Sequence, residues 1–476
     1  MDSSIPSETP STLNIFSLNC WGLKYISKHR SARLTEIGKR IAALNPPPDI
    51  VGLQECWTGA DYESIRSLTS HILPFGKFYY SGAFGGGLAI LSRWPVEESN
   101  MVRYPLNGRP GAWPIRGDWF VGKGVACARI RYGRDAKDIV EVFCTHLHAP
   151  YEPEHRDSYL CHRTAQAWEI ARLMRHATER GHLVIGLGDF NMRPKSLAHQ
   201  LIETHGHVRD VWREVHLDSS LGSTEDELER NRGRPVPSAD FNITENGATC
   251  DSILNTWRWN KDQQKRLDKG EDILISESDL DPHAKRLDYI FFGSGESTVA
   301  GNAASQSPWR VKSTTVGMTE RHPTLHCSLS DHFSVAATLT RLPSSSPSSP
   351  SKASHRADQG TGSVSFLPVE VYTDILTITS TYTARERKQG RLRLYHFLVQ
   401  IGVSVGCLVA VWWSPHNYVA FILMLVSTLG LSVGVVQGLM GGIFNLWEER
   451  GLREFKWEIE RAKEAAKAVE TSEKEI

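Results

Sequence analysis

One stretch restricts the fold more than any other. Residues 394–447 contain no Asp, Glu, Lys or Arg, in a chain of 476 residues of which 23% are charged. A water-facing surface is not built from 54 uncharged residues in a row, so this segment reads as membrane-embedded. A Ser-Pro-His-Asn turn signal at 414–417 divides it. Residues 394–413 are long enough to cross about 30 Å of hydrocarbon at about 1.5 Å per residue. Residues 418–444 are longer and can tilt. Tyr395, Trp412, Trp413, Tyr418 and Trp447 sit near the ends, as interfacial aromatics do. The pattern predicts a helical hairpin. Arg385, Arg387, Lys388, Arg391 and Arg393 precede the first span, which places that side in the cytosol, together with everything before it and the returning charged tail helix at 448–476. The basic cluster is suited to holding anionic lipid. Gly430, Gly434, Gly438 and Gly442 recur every four residues, as do Gly402, Gly406 and Ala410, so the two stripes are expected to face each other.

The remainder divides by composition. Residues 12–341 read as a catalytic domain, and 342–366 are Ser/Pro/Gly-rich and read as a flexible linker leading into a juxtamembrane segment that ends at 393. Residues 1–12 are polar with no basic leader, so no secretory signal is expected. With 54 basic and 54 acidic residues, a polybasic nucleic-acid binder and an acidic disordered protein are both excluded. The eight cysteines stand singly without C-x-x-C spacing, which points to free thiols in a reducing compartment and not to a zinc site.

Within 12–341 the apolar, strand-like runs share a habit of ending in a polar residue. They lead into Asn19, Glu55, His146 and His148, and Asp189 with Asn191; Asp288 opens another, and Asp331-His332 stands before the last. Amphipathic helical runs, such as 33–44 and 157–178, lie between some of them. Strands laid side by side would gather these tips at one sheet edge, where α/β folds place ligand sites. Glu55, Asp189 and Asp331 are hard oxygen donors, suited to Mg²⁺ or Mn²⁺. Asn19 and Asn191 bind without adding charge. His146 and His332 can exchange protons near neutral pH. Asp189/Asn191 and His146/His148 have the spacing of same-face pairs on a strand. Any one of these residues alone would be an ordinary turn-former or strand end. Together they fit metal-assisted hydrolysis of a phosphate ester.

In this order Asn19, Leu-Gln-Glu55, Thr-His146, Gly-Asp189-Phe-Asn191, Leu-Asp288-Tyr and Ser-Asp331-His332 closely resemble the endonuclease/exonuclease/phosphatase superfamily over about residues 12–341. More narrowly, Leu-Asn-Cys-Trp-Gly22, Gly-Gly-Gly-Leu-Ala-Ile-Leu-Ser92-Arg, Thr-His146-Leu-His148-Ala and Thr249-Cys-Asp-Ser-Ile-Leu-Asn-Thr-Trp257 resemble the neutral sphingomyelinases. A catalytic domain followed by two spans is similar to their fungal branch, the inositol phosphosphingolipid phospholipases C. The resemblance implies an α/β fold, a four-layer α/β/β/α sandwich of the DNase I type, with Mg²⁺ dependence. It implies Glu55 as metal ligand with Asn19 and Asp331 near the ion, and Asp189 and Asn191 orienting water and phosphate. It implies His332 as general base held by Asp288, and His146 stabilising phosphoryl oxygens. Asp118 and Lys123 match an Asp-x4-Lys element linked to activation by anionic phospholipid.

The expected function is therefore a membrane-anchored phospholipase C releasing ceramide from sphingolipid phosphodiesters, with the inositol head group favoured over choline and an endoplasmic reticulum or mitochondrial membrane as its location. The rivals are a nuclease, disfavoured by the absence of a basic surplus; a phosphoinositide phosphatase, whose Trp-Cys-Asp-Arg motif is missing; and a catalytically dead adaptor, against which the complete Glu55, Asp189, Asn191 and His332 set argues. Residues 258–285 form a charged insertion, expected as a mobile surface loop near the site mouth.

Overall fold

The computed structural model describes residues 9–110, 117–135, 137–152, 156–271, 273–293, 309–341 and 366–474. The linker expected at 342–366 lies almost wholly outside the described residues. The chain forms two units. The first comprises Met1–Tyr104, Val121–Glu154 and Gln166–Phe366; the second comprises Pro105–Phe120, His155–Ala165 and Leu367–Ile476.

Twelve described strands build the first unit: β1 (Thr12–Asn19), β2 (Ile50–Gln54), β3 (Phe75–Tyr79), β4 (Leu88–Ser92), β5 (Val96–Arg103), β6 (Gly124–Arg131), β7 (Ile139–His146), β8 (Leu183–Asp189), β9 (Arg209–Asp210), β10 (Asp288–Gly293), β11 (Trp309–Gly317) and β12 (Ser334–Arg341). They form two six-stranded sheets, ordered β11-β12-β1-β2-β4-β3 and β5-β6-β7-β8-β10-β9. Between the sheets lies a core that includes Leu13, Ile15 and Ile90 from the first and Val142, Ile185 and Ile290 from the second. The helices Arg30–Ala42 and Gly59–Thr69 cover the outer face of the first sheet through Leu34, Ile37, Ile41 and Ile65. The helix Leu160–Glu179 lays Met174 against Gly186 of the second. This is the expected α/β/β/α sandwich.

Strand direction explains why the polar tips meet. β1 runs parallel to β2, with Asn19 opposite Gln54, and β7 runs parallel to β8, with His146 opposite Asp189. β10 is antiparallel to β8 and β12 to β1, so their beginnings, at Asp288 and just after His332, lie at the edge where the others end. The sheets approach closely there. A Cβ on Gly52 would stand 1.9 Å from Leu187 Cδ1.

The 258–285 insertion is not a bare loop. Asn260 and Gln263 form a capping box for the helix Lys261–Asp268, and Trp259, Leu267 and Cys327 form a small apolar cluster. Two buried anchors are enough to order a segment whose charge hides them from a periodicity reading.

In the second unit the helix Val369–Ala410 runs unbroken through the juxtamembrane segment into the first apolar span. After Asn417–Leu439 and a π turn at Met440–Phe444, the chain continues as the helix Asn445–Lys474. Two helices are long and apolar enough to cross a membrane. The protein is read as integral to the membrane, with its catalytic unit outside the spans. The glycine stripes do not face each other. Gly434 lies against Gln400 and Gly438 against Phe397, while Gly402 and Gly406 have open space around them. The first helix meets the second through Phe397, Gln400 and Ser404, which is one helical face; Ser404 and Ser427 hydroxyls are 2.7 Å apart. Gly402 and Gly406 lie off that face. Arg385 bonds the Glu386 carboxylate (3.3 Å) and the Ser158 carbonyl (3.1 Å), Arg387 bonds Glu449 (2.6 Å), and Arg393 bonds Gln437. Of the five basic residues expected to hold lipid, four thus have internal partners, Arg391 through the Arg387 carbonyl at 3.4 Å, and Lys388 is exposed.

Candidate active site

The sandwich edge brings Asn19, Glu55, His146, Asp189, Asn191, Asp288, Asp331 and His332 to one place. Asn19 is the bridge between sheets. Its side-chain Oδ1 accepts from the Trp21 amide (3.0 Å), which turns its NH₂ toward Asp189 Oδ2 (3.0 Å) and Glu55 Oε1 (3.3 Å). Glu55 and Asn191 follow the ends of β2 and β8 in left-handed conformations, with φ of 52° and 46°. Such conformations are uncommon away from glycine and collect at functional sites. The turn at Asn191 leads its amide N–H to Asp189 Oδ1 (2.9 Å) and its side chain to Asp189 Oδ2 (3.3 Å). This pair meets by a turn beyond the strand and not by strand alternation. His148 likewise lies beyond β7; it is buried and its amide donates to Gln166 (3.1 Å).

His332 Nδ1 bonds Asp288 Oδ2 at 2.8 Å, and its Nε2 faces Asp189 Oδ2 at 3.9 Å. His146 Nε2 lies 3.4 Å from the same oxygen. Among the described residues, Asp189, Asp288 and His332 offer ligand atoms all within 4.8 Å of one another, a buried cluster able to hold a divalent cation. Asp288 Oδ1 is buried without a hydrogen-bond partner among the described residues. Glu55 and Asp331, both half-buried, lie outside that cluster; Glu55 is tied to it through the Asn19 amide, and Asp331 acts on Glu55 electrostatically.

The electrostatics are those of anions gathered out of water. Burial pushes the Asp189 carboxyl up to about 7, against the pull of His332. Burial and the neighbouring Asp331 raise Glu55. For His332 burial pushes down, but Cys250, Asp288 and Asp189 hold it well above its ordinary value. His146 is driven well below its ordinary value by burial, then by Lys123 and His332, and is neutral. Two histidines a few ångströms apart therefore differ in proton state.

Several supporting residues stand behind these side chains. The Thr249 hydroxyl donates to Asp288 Oδ2 (2.6 Å) and accepts from the Asp288 amide (3.3 Å). Ser330 Oγ donates to the Asn19 carbonyl (2.6 Å) and accepts from the His332 amide (3.2 Å). Arg33 is fully buried and donates to the carbonyls of Leu329 (2.6 Å) and Trp21 (2.9 Å), beside the rings of Trp21 and Trp257. Thr249 and Trp257 lie in the Thr-Cys-Asp…Trp motif, Ser330 in Ser-Asp331-His332 and Trp21 in Leu-Asn-Cys-Trp-Gly22, the signals that pointed to this shell; Arg33 lies in none of them. Lys123 Nζ donates to the carbonyls of His146 and Leu147 (both 3.2 Å). Asp118, in the second unit, accepts from the Tyr159 hydroxyl (3.1 Å).

The model of the Endonuclease/Exonuclease/phosphatase family matches residues 16–332. The chain is 39% identical over 455 residues to inositol phosphosphingolipids phospholipase C of Schizosaccharomyces pombe, covering 95% of this chain and 94% of that one. To the protein of the same name from Saccharomyces cerevisiae it is 30% identical over 478 residues, covering 94% and 89%. To sphingomyelin phosphodiesterase 2 of Homo sapiens it is 36% identical over 205 residues, covering 43% and 46%.

Proposed function

The chain belongs to the Endonuclease/Exonuclease/phosphatase family, and from that premise we propose that it is a membrane-anchored, Mg²⁺-dependent phospholipase C. It hydrolyses sphingolipid phosphodiesters to ceramide and a phosphorylated head group. The observation that carries this reading is the pairing, in one chain, of a buried Asp/His hydrolytic site with two apolar spans. The scissile bond of such a lipid lies at the bilayer surface, so anchoring keeps enzyme and substrate together. The two relatives matched along nearly their whole length bear the same activity in their names.

Mg²⁺, or Mn²⁺ in its place, fits the donors. They are oxygens without a Cys or a cage of histidines, and the Glu55 and Asp189 carboxyls, raised first by burial and then by Asp331 and Asp288, mark charge that a cation would stabilise. Glu55, Asn19 and Asp331 would hold the ion beside Asp189. Bound there, it supplies positive charge against that developing on the phosphoryl oxygens. His332 is the general base. Its Nδ1 is engaged by Asp288, which leaves Nε2 to take a proton from water. Asp189 and Asn191 orient that water and the phosphate. His146, neutral, donates from Nε2 to a phosphoryl oxygen. Lys123 positions His146 through its carbonyl, and with Asp118 it would carry any response to anionic phospholipid. The catalytic unit and tail face the cytosol, on an endoplasmic reticulum or mitochondrial membrane, and nucleic acid is not a substrate.

The test is to give the purified full chain, with Mg²⁺, inositol phosphorylceramide, sphingomyelin, plasmid DNA and a soluble inositol phosphate. Ceramide release that falls by about 10³-fold in His332→Ala supports the reading. DNA nicking without ceramide release overturns it.

A further inference from the structure

The ordered 258–285 insertion encloses, with neighbouring loops, a cleft of about 590 Å³, a volume in the range of small-molecule sites. Its wall is continuous with the active site. The Cys250 backbone bridges to both Lys285 and His332, and the Phe333 amide donates to the Thr249 carbonyl at 2.7 Å. Thr249 itself bonds Asp288, so one short segment, 249–251, holds the His332–Asp288 pair with its first residue and lines the cleft with its last. Asp251 is turned there by a left-handed conformation, φ 61°.

The side chains lining the cleft define what it can hold. Asp251 is ion-paired to Arg258 and, at 2.7 Å, to Lys285, so two cations meet one carboxylate. Lys285 and Arg258 are 31% and 44% exposed, which leaves N–H groups of both open to a ligand. Gln263 and Ser223 add neutral polar groups. At the rim, Asp279 accepts from the Ser276 amide (3.1 Å), and Glu225 faces His283 at 3.5 Å. A quaternary ammonium makes no hydrogen bonds and is held best over an open aromatic face. The indole of Trp259 in the cleft has Arg321 over it at 4.7 Å and its N–H on the Ile253 carbonyl at 2.8 Å. A ring bearing several hydroxyls, by contrast, finds donors on Arg258, Lys285 and Gln263 and an acceptor on Asp251.

Resting on the phospholipase C reading above, we propose that this cleft is the head-group subsite and that Arg258, Lys285 and Asp251 bind a polyhydroxylated head group there.

The test compares kcat/KM on inositol phosphorylceramide and on sphingomyelin, for the full chain in mixed micelles with Mg²⁺. The parent is expected to favour the inositol lipid by tenfold or more. Lys285→Ala and Arg258→Ala should each lower that preference by at least tenfold, mostly through KM for the inositol lipid, while Lys285→Arg keeps it. A fall of equal factor on both lipids, or a parent that favours sphingomyelin, overturns the subsite alone. A parent that cleaves neither lipid overturns the phospholipase reading and the subsite with it. Should an alanine variant not fold, the parent still decides: inositol 1-phosphate and not phosphocholine should raise its melting temperature, and the opposite order overturns the assignment.

Discussion

Metal binding at this site should be strongly coupled to protons. Asp189 is buried with its carboxyl raised to about 7, and Glu55 is raised by burial and by Asp331. A cation requires these carboxylates ionised. Below pH 7 the metal-free protein holds a proton on Asp189 that the ion must displace. For one displaced proton, affinity falls about tenfold per pH unit, or roughly 30-fold between pH 7 and pH 5.5, near 2 kcal/mol. Two further groups fix the sign. His332 is held protonated by Cys250, Asp288 and Asp189, and a cation beside those carboxylates drives its proton off, which adds to the release. His146 is already neutral and has none to give. Titration calorimetry of Mg²⁺ into the full chain, at pH 5.5, 6.5 and 7.5 and in buffers of different ionisation enthalpy, reads both affinity and proton release. Asp189→Asn should flatten most of the slope. Equal affinity at pH 5.5 and 7.5, with no proton released, would refute the claim that buried carboxylates form the ion's seat.

Three other substitutions probe separate links. Asp288→Asn removes the charged acceptor shared by His332 and Thr249; kcat should drop by about 10²- to 10⁴-fold, and the acid limb of the residual rate should move to lower pH because Asp288 is one of the groups holding His332 up. Gly188→Ala would set a Cβ 2.0 Å from the Thr145 carbonyl oxygen at a φ of 140°; a loss of roughly 2–6 kcal/mol is expected in denaturant unfolding, and a variant as stable as the parent would contradict the β7–β8 register. Gly438→Leu would drive a side chain into Phe397, whose Cγ is 2.9 Å from a Cβ at that position; the melting temperature in detergent micelles should fall, and an unchanged one would remove the Gly438–Phe397 contact from the hairpin's packing.

How much of this could be read in advance depended on how local each signal is. A strand run ending in Asn19, His146 or Asp189 is visible because the apolar run and the polar tip are adjacent in sequence. So is the hairpin, since loss of charge marks hydrocarbon directly. That same signal marks the span alone, because charge reports the membrane boundary and not the backbone hydrogen bonds that continue from Val369 to Ala410. The glycine spacing fixed a period but not a partner, which depends on which face of the neighbouring helix carries Phe397 and Gln400. Arg33 was invisible for a related reason: its partners are backbone carbonyls, and Arg33 and Leu329 are 296 residues apart. The insertion's order rests on a few anchors such as Trp259 and Leu267, too few to make a periodic pattern.

The site is also a property of the sheet interface. Glu55 follows a strand of one sheet and Asp189 ends a strand of the other, and the uncharged amide of Asn19 is what stands between the two carboxylates. The spacing of those carboxylates is therefore set by how closely the sheets pack beneath them, where Gly52 faces Leu187 with no room for a methyl group. A two-sheet core is close-packed and yields little. Positions such as Gly52 thus act on the chemistry without touching it, because widening the sandwich by an ångström would separate the two halves of the candidate cation seat. It would also loosen the Asn19 bridge, the hydrogen-bonded link between them. That arrangement accounts for a hydrolytic centre whose parts come from positions 19 to 332 yet are held together where the two sheets meet, at the Asn19 bridge and the Gly52–Leu187 contact beneath it.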